Sequence, residues 1–384
     1  MKIAILTTSF PRWPGDYMGI FVFEAASAIK RRGHQVKVIA IHSPGSKRRE
    51  TWDGIEIIRT QYLPEKWELL QSYGGGLPEV WKSKPWARLQ VLPFMIAHFF
   101  NILVSTRGCD MLHANWTLSG AMAWGVHMLT RKPYLVTVQG SDIFQAPRLP
   151  LVTLITRIVL RGAKKVLALS ESLANAVIAL GVDSENVEIV PNGVNTQRFL
   201  PAAVTERENQ ILFVGSLIER KGIHYLLEAF ASLLQCSPST RLILVGEGSQ
   251  RGEYEMEAHT LGIVSNVLFT GSQTQEQVSA WMQSSRLFVL PSIEEGLGVV
   301  LLEALACGTP IVASRVGGIP DVVVTSVGRL VPPADPLKLK EAMLSILNLP
   351  EHDWLSLSQE SRARAVSKFD WDRIAWRIES LYNS

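Results

Sequence analysis

Cysteine is scarce in this sequence, and its charges nearly cancel. The 384 residues include only Cys109, Cys236 and Cys307, which are too widely spaced to form a zinc-binding or redox motif. The simplest interpretation is a reducing, cytoplasmic setting. The net charge of +3 is too small to indicate nucleic acid binding. It is compatible with contact with an anionic membrane surface.

Long apolar runs are also missing. No run reaches the roughly 20 residues that a membrane-spanning helix requires. The opening MKIAILTTSF continues as a short strand-like run, without the apolar core or cleavage site of a signal peptide. What remains is an ordinary globular composition, 47% hydrophobic and 19% charged, in a chain long enough for two domains with substantial cores.

Hydrophobic periodicity predicts two successive α/β blocks. In the first, the run IAILTTSF reads as a buried strand, FVFEAASAIKRRG as a helix that ends at Gly33, and QVKVIAI as the next strand. This alternation is typical of a parallel sheet. The periodicity lapses over PAAVTEREN and then restarts, so we place the domain boundary there. The predicted division is 1–200, 201–368 and a final helix over 369–384.

The stretch PSIEEGLGVVLLEALACGTPIVAS, residues 291–314, reads as the end of a strand, a glycine turn, a helix and a strand. A glycine turn that leads into a helix leaves backbone N–H groups unpaired at the positive end of the helix dipole, which suits a phosphate. Glu295 lies on the turn. Glu303 lies within the apolar helix, where a buried carboxylate needs a partner.

The spacing of these two glutamates resembles the donor-site signature of the family 4 retaining glycosyltransferases, which have the GT-B fold. The resemblance implies two Rossmann-like domains whose parallel sheets face across a cleft, with the last helix crossing back to the first domain. It implies that Glu295 faces the donor sugar and that Glu303 binds the ribose hydroxyls. Gly296, Leu297 and Gly298 would hold the sugar and the diphosphate through their backbone. Leu297 replaces the aromatic residue usual in the family. The alternative for Glu303 is an ion pair with a neighbouring arginine in a core.

The resemblance extends to residues that would bind the diphosphate. In the family a lysine and an arginine clamp it; Lys221 matches the lysine, while Ser216 occupies the usual arginine position and Arg220 is the candidate replacement. A diphosphate accumulates negative charge as it leaves, so without a metal ion at least one fixed cation is needed to stabilise that charge. The alternative is that Arg220 and Lys221 are solvated loop charges. The remaining donor-side candidates are glycines of strand-end loops: Gly19, Gly215 and Gly246. Gly19 is equally well explained as a turn residue.

Gln139 replaces a histidine that the family commonly has before Gly-Ser-Asp. Glutamine can hydrogen-bond a sugar hydroxyl but cannot titrate near neutral pH, so a general base at this position is in doubt. His113 lies at a different strand end. It is predicted either to be an acceptor-side residue or to support residues that contact the substrate without contacting the substrate itself. Asp142 is either an acceptor-side residue or the N-cap of a helix over IFQAP.

Residues 43–107 have an irregular pattern. They include a Gly74–Gly75–Gly76 loop and a mostly apolar run preceded by Trp81, Trp86, Lys82, Lys84 and Arg88. This segment is either a membrane-surface element or, somewhat better, a helix packed on the first sheet, with His98 as a core histidine.

Together with these patterns, the resemblance implies a metal-independent, retaining hexosyltransferase that uses a UDP- or GDP-sugar and no cofactor. The acceptor is a carbohydrate or a lipid-linked molecule, and the location is the cytoplasm or the inner face of the cell membrane. Three alternatives stay open: a catalytically silent sugar-nucleotide-binding module, a sugar-nucleotide epimerase of the same fold, and a phosphorylase, which would need a pyridoxal-binding lysine and usually a longer chain.

Overall fold

The computed structural model describes residues 1–70, 85–144, 150–202 and 207–383. The chain divides into two compact units: unit 1 contains Met1–Asn192 and Trp371–Ser384, and unit 2 contains Gly193–Asp370. The prediction from sequence placed the first boundary later, at residue 200, and began the final segment at 369. Trp81, Lys82, Lys84 and the triple-glycine loop lie outside the described residues.

Unit 1 has an eight-stranded sheet in the order β3-β4-β2-β1-β5-β6-β7-β8. Its pairs are parallel except for the antiparallel β3–β4 pair, which the sequence analysis missed. The elements are β1 Lys2–Thr7, α1 Ile20–Arg31, β2 Gln35–Ile41, β3 Arg49–Trp52, β4 Ile55–Thr60, α2 Val91–Ser105, β5 Met111–Asn115, α3 Trp116–Thr130, β6 Tyr134–Val138, α4 Ser141–Phe144, α5 Pro150–Arg161, β7 Lys165–Ala168, α6 Glu171–Ala179, β8 Val187–Ile189 and α14 Trp371–Asn383.

Unit 2 has a six-stranded sheet in the order β11-β10-β9-β12-β13-β14, with parallel pairing throughout. The elements are β9 Glu208–Val214, α7 Ile223–Leu234, β10 Arg241–Val245, α8 Arg251–Thr260, β11 Val267–Gly271, α9 Gln275–Ser284, β12 Ser285–Leu290, α10 Val299–Ala306, β13 Ile311–Ser314, α11 Ile319–Val322, β14 Gly328–Val331, α12 Pro336–Leu347 and α13 Glu351–Arg364.

The central strands are almost completely buried because helices cover both faces of each sheet. Every residue of β1 after Lys2 is buried, as are all residues of β5 and β6. Near-continuous apolar strands of this kind are typical of parallel sheets. The same reason explains why the sequence located these strands well. Both units therefore have the Rossmann-like α/β architecture that was predicted.

The last helix, α14, packs on α1 of unit 1. Trp371 donates to Glu24 with 2.8 Å between Nε1 and Oε2, and Asp372 pairs with Arg31. Trp371, Ile374 and Ile378 belong to the same core cluster as the strands β1 and β2. The predicted amphipathic terminal helix therefore buries its apolar side in unit 1.

The helix α2 follows a short turn, and together they form a helical segment, Trp86–Ser105, that is long and apolar enough to cross a membrane by length and composition alone. The prediction that no segment reaches this length is wrong, because the helix continues through Pro93, His98 and Asn101, the residues that interrupt the apolar run in the sequence. One side of α2 packs on the sheet. His98 is buried there, as predicted, with its Nδ1 2.7 Å from Thr60 Oγ1.

Candidate active site

The candidate site of unit 2 lies where the carboxyl ends of β9 and β12 meet. The strand β9 is central, and the chain adds β10 and β11 on one side of it and β12 to β14 on the other. Such a reversal of direction leaves a crevice beyond the strand ends, which is the usual ligand position in open α/β sheets. The loops that follow β9 and β12 are therefore neighbours, although they are far apart in the sequence.

The loop after β9 packs tightly on its neighbours through glycines. Gly222 has φ 67°, and a Cβ there would lie 2.1 Å from the carbonyl oxygen of Pro291 in the β12 loop. A Cβ at Gly246 would lie 1.9 Å from the carbonyl oxygen of Gly215. Side chains are excluded at both positions, so the three loops approach one another as bare backbone. Gly215, Ser216 and Gly246 thus lie together, as the donor-site prediction requires.

The loops after β9 and β12 are joined by a backbone hydrogen bond and an ion pair. Ile293 N donates to Arg220 O at 2.8 Å. Lys221 Nζ lies 2.5 Å from Glu295 Oε2, and the two side chains are 13% and 11% exposed. Glu295 also accepts from Ser292 Oγ at 3.4 Å and from Gly296 N at 3.3 Å. Two residues selected separately in the sequence are therefore direct partners.

The electrostatics of this pair favour the ionised carboxylate. Burial raises the pKa of Glu295, but the charge and hydrogen bond of Lys221 and the nearby charge of Arg220 outweigh burial and leave the pKa below its ordinary value. Arg220 is therefore close enough to act on the same site. Lys221, Arg220 and Glu295 together place two cationic side chains and one fixed carboxylate beside the start of α10.

The helix α10 begins directly after this loop. Gly298 precedes it with φ 82°, and no side chain of the described residues caps the helix. Its first N–H groups therefore face the loop without a side-chain partner. Leu297 as a whole residue is only 2% exposed, and its side chain packs in the core. The contact of its backbone with the donor stays a prediction.

Glu303 lies one turn into α10 and is only partly buried. Its neighbours Leu302 and Ala304 are completely buried, so the carboxylate marks the one polar position of this part of the helix. That placement suits a contact with hydroxyl groups at the edge of the site. Its role as the ribose ligand stays a prediction.

A third loop, after β13, completes the wall of the site, and the sequence analysis did not select it. Gly317 has φ 51°, and a Cβ there would lie 1.7 Å from the carbonyl oxygen of Glu295. The next residue, Gly318, donates its N–H to Gly296 O at 3.0 Å. This contact fixes the backbone that carries Glu295. A Val-Gly-Gly sequence one residue after a buried strand was the available signal.

In unit 1, the loop after β1 reaches α1 through Gly19. Gly19 has φ 63° and precedes α1, and a Cβ there would lie 2.6 Å from Ser9 O. Within the loop, Arg12 Nε and Asp16 Oδ2 are 2.6 Å apart and both side chains are buried. The close backbone approach explains Gly19 structurally. Its contact with a diphosphate stays a prediction.

Gln139 lies at the end of β6 in a network of amides. Its Nε2 donates to Asn115 Oδ1 at 3.0 Å, and its Oε1 accepts from Asn192 Nδ2 at 3.4 Å. Neither Asn115 nor Asn192 was selected from the sequence, although Asn115 ends β5 and Asn192 lies three residues after the end of β8. The network holds a neutral, half-buried side chain at a strand end, which suits hydrogen bonding to a sugar hydroxyl.

Asp142 fixes the backbone around this network. Its carboxylate accepts from the N–H groups of Thr117, Gln139 and Gly140 at 2.9 to 3.0 Å. Burial raises the pKa of Asp142 to about 6, against the lowering effect of these donors. Thr117 belongs to the first turn of α3, so Asp142 caps that helix from outside. The predicted N-cap of a helix over IFQAP is wrong, because Asp142 lies inside α4 and caps α3 instead.

His113 is a core residue of unit 1. Its Nδ1 lies 2.7 Å from Tyr382 Oη and its Nε2 lies 2.7 Å from Thr137 Oγ1. Burial lowers its pKa to about 4. Both ring nitrogens are engaged by hydroxyl groups, so an acceptor could reach His113 only through Thr137 or Tyr382. These contacts match a supporting position better than a direct acceptor contact.

Within the described residues, no group of three or more His, Cys, Asp or Glu side chains is arranged to hold a metal ion. The positive charge at the site comes instead from Lys221, Arg220 and the start of α10. These groups can bind an anion, and they can stabilise negative charge that develops on a leaving group.

Comparison with known proteins agrees with the two-unit division. Residues 18–193 match the family model described as Glycosyl transferase 4-like domain, and residues 197–368 match Glycosyl transferases group 1. The chain is 30% identical to a D-inositol 3-phosphate glycosyltransferase from Segniliparus rotundus, over 100% of this chain and 89% of that protein.

Two further proteins extend the comparison. The chain is 29% identical to a phosphatidyl-myo-inositol mannosyltransferase from Mycobacterium leprae, over 94% of this chain and 91% of that protein. The sucrose-phosphate synthase structure from Thermosynechococcus elongatus superimposes with a TM-score of 0.81 at 25% identity, over 100% of this chain and 98% of that one.

Proposed function

The chain belongs to the group 1 glycosyl transferases and has the GT-B fold, and we propose that it transfers a hexose from a UDP- or GDP-sugar with retention at the anomeric carbon. The observation that carries this proposal is the largely buried Lys221–Glu295 pair beside the start of α10, which no side chain of the described residues caps. A cation and a helix N-terminus suit a diphosphate, while a fixed carboxylate suits the hydroxyls of a sugar.

In this proposal, Lys221, Arg220 and the N–H groups at the start of α10 bind the donor diphosphate. Negative charge grows on the diphosphate as the bond to the anomeric carbon breaks, so these groups contribute more in the transition state than in the ground state. Glu295 orients the sugar. It can do so because Lys221, Ser292 and Gly296 hold its carboxylate in one position.

The proposed chemistry is a substitution on one face of the sugar. The acceptor oxygen forms its bond to the anomeric carbon on the side from which the diphosphate leaves, and the acceptor proton passes to an oxygen of the departing phosphate. Gln139 cannot take this proton near neutral pH. A role for the donor phosphate as the base therefore requires no titrating side chain at this position.

We further propose that the reaction is metal-independent and takes place in the cytoplasm or at the inner face of the membrane. The cations of the site supply the charge that a divalent metal would otherwise contribute. All three cysteines are unpaired, which supports a reducing compartment. Transfer that is unchanged by EDTA supports metal independence, and transfer that EDTA abolishes and Mg²⁺ or Mn²⁺ restores contradicts it.

For the acceptor, we propose a lipid-linked molecule that presents a polyol hydroxyl. Two relatives described above are named for inositol acceptors, one of them within a lipid. A soluble carbohydrate acceptor is the competing choice. Parallel assays with phosphatidylinositol in detergent micelles and with soluble inositol phosphate and oligosaccharides distinguish the two.

The decisive experiment is a thermal-shift panel of UDP- and GDP-sugars, followed by a transfer assay with each donor that binds. A donor at 100 times its dissociation constant should stabilise the protein by about 2.7 kcal/mol. Binding followed by transfer with retained configuration supports the proposal. Binding without transfer or donor hydrolysis would favour a silent binding module, and formation of an epimer without acceptor would favour an epimerase.

A further inference from the structure

Three helices of unit 1 leave an apolar surface uncovered in the described part of the chain. The outward side of α2 exposes Leu92, Ile96, Phe100 and Val104 by 52% to 65%. These positions recur at helical spacing, so they form one stripe opposite the buried Phe94, His98 and Ile102. A helix that packs on a sheet normally turns polar residues outward. Here both sides are apolar.

The stripe continues onto two neighbouring helices. Phe99 of α2 packs near Gly125 of α3, and Val159 of α5 packs near Gly120 of α3, so the three helices lie side by side on the sheet. Beyond α2, the exposed apolar side chains are Met128 and Leu129 at the end of α3 and Leu151, Leu154, Ile155 and Ile158 on α5. We call this set, with the stripe on α2, the apolar face. Contiguous surfaces of this kind mark interaction sites.

Positive charge is concentrated in the same part of the chain. Residues 80–170 contain eleven Lys or Arg and two Asp or Glu, a net charge of +9, whereas the whole chain has a net charge of +3. The helices α2, α3 and α5 contain no Asp or Glu. Exposed arginines border the apolar face, among them Arg88 and Arg107 on either side of α2 and Arg157 and Arg161 on α5.

A cationic pocket adjoins the apolar face. It has a volume of about 520 Å³ and is lined by Arg48 and Arg49 on one side and by Ala97 and Asn101 of α2 on another. Arg59 also lines it, but Arg59 is buried and paired with Glu50. Arg48 and Arg49 are exposed. The pocket therefore presents two solvent-accessible positive charges next to the α2 stripe, and its volume suits a small anionic group.

We propose that the apolar face docks this protein on an anionic lipid bilayer and that the Arg48–Arg49 pocket receives the phosphate of a lipid headgroup. Apolar side chains with a basic border are the features of elements that lie in the membrane interface. The buried side of α2 is fixed to the sheet, so the helix lies on the bilayer and does not cross it. A second copy of the chain fits the face less well, because a two-fold contact would bring the arginine borders together.

Sedimentation of the full chain with vesicles tests the apolar part of the proposal. We expect pelleting with phosphatidylcholine vesicles that contain about one-quarter phosphatidylglycerol, and little pelleting with phosphatidylcholine alone. The variant Leu92→Ser, Ile96→Ser, Phe100→Ser should reduce partitioning at least about tenfold, because three buried contacts with the acyl region are lost. Its matched control is Met256→Ser, Val264→Ser, Leu337→Ser, which changes exposed apolar residues of unit 2 and should bind like the wild type.

A second pair of variants tests the pocket. Arg48→Ser, Arg49→Ser should weaken binding to anionic vesicles by about fivefold per arginine. The control Lys368→Ser, Arg373→Ser removes the same charge from other exposed positions and should have a smaller effect. If inorganic phosphate stabilises the wild type in the absence of lipid, but not the Arg48, Arg49 variant, the pocket binds a soluble phosphate group and the headgroup assignment is wrong.

Three outcomes overturn the docking proposal. These are negligible pelleting on both vesicles, equal pelleting of the wild type and the apolar variant, and a lipid-free dimer that the apolar variant converts to a monomer in analytical ultracentrifugation. Donor hydrolysis is measured on every variant without lipid. Unchanged hydrolysis with lost pelleting separates docking from the proposed transfer reaction, and circular dichroism verifies that each variant is folded.

Discussion

Lys221 and Glu295 are separated by 74 positions in the sequence, yet their side chains form the central ion pair of the candidate site. The pairing follows from the adjacency of β9 and β12. It also explains why a carboxylate can be kept ionised in a largely buried loop, since the adjacent ammonium and guanidinium charges offset the cost of burial.

At this scale we expect Glu295→Gln and Lys221→Ala each to lower kcat/KM by about 10² to 10³-fold, because each removes a fixed electrostatic contact in the transition state. The double variant should lose less than the product of the two single losses, because the residues act as a pair. Steady-state kinetics with the best donor from the panel provide the measurement. Glu351→Gln, which breaks the surface pair with Arg286, is the control and should retain full activity.

The neutral Gln139 and the buried His113 predict a particular pH dependence. Because burial lowers the pKa of His113 to about 4 and Gln139 does not titrate, any limb of kcat/KM near pH 6 should come from Asp142, whose pKa is raised to about 6, and should persist in His113→Ala. Gln139→His should remain active, since an imidazole can keep a hydrogen bond to Asn115 or Asn192. A limb near pH 6.5 that disappears in His113→Ala would contradict this account and assign the proton transfer to His113.

At the scale of elements, the β13 loop packs against the backbone of Glu295 at Gly317, where the absence of a side chain allows the close approach. Gly317→Ala should therefore displace the Glu295 loop and lower donor affinity, because the new Cβ has no room. The matched control is Gly262→Ala, which has φ 70° but no atom within 4 Å of the new Cβ. The control should show only the cost of a left-handed alanine, about 1 to 2 kcal/mol, with unchanged donor affinity. Equal donor affinity in the two variants would remove the β13 loop from the site.

Another element-scale prediction concerns His42, which follows β2 and contacts Glu68 in the segment after β4. His42 Nδ1 lies 2.5 Å from Glu68 Oε2 and its Nε2 lies 3.0 Å from Ser46 O, and both partners are acceptors. Two acceptors favour the doubly protonated imidazole, and the hydrogen bond to Glu68 raises the pKa of His42 despite burial. Its stabilisation is fully present below the unfolded value of about 6.5 and is lost as pH rises through the higher folded value.

We therefore expect His42→Gln to lower the melting temperature most at pH 5.5 to 6.5 and progressively less at higher pH. Thermal unfolding of the two proteins between pH 5.5 and 9 measures this difference. A gap in melting temperature that does not change with pH would show that His42 is neutral in the folded protein.

At the scale of the whole molecule, the two units have separate surfaces for the two proposed tasks. The donor site is built from loops of unit 2, whereas the apolar face and the excess positive charge belong to unit 1. This division predicts that nucleotide and lipid act on different parts of the chain.

Hydrogen exchange can test the division. UDP or GDP, whichever binds, should protect backbone amides in the loops after β9, β12 and β13, because these loops contact the ligand in the proposal. The amides of α2 and α5 should exchange as in the free protein. Nucleotide protection confined to unit 1 would contradict the assignment of the donor site. Protection that includes Gly19 would add the β1 loop to the diphosphate contacts.

The sequence predicted much of the fold because parallel strands buried on both faces are nearly continuous apolar runs, as in β1 and β6. It also selected Lys221 and Glu295, because the spacing of a motif can be read from the sequence without knowing which residues surround it in the fold. It did not predict β3, whose exposed residues lack an apolar pattern. It did not select Gly317, Asn115 or Asn192, because each is significant only through a partner distant in the sequence.

By itself, then, the sequence determined the two α/β units, the strand ends that carry the site and the residues of the two-glutamate motif, since these depend on local periodicity and spacing. Only the tertiary structure decided which distant groups meet. It paired Lys221 with Glu295, buried His113 between Thr137 and Tyr382, and, within the described part of the chain, left one side of α2 exposed. Which side of an apolar helix is covered depends on how the helices pack on the sheet, and no local pattern records that packing.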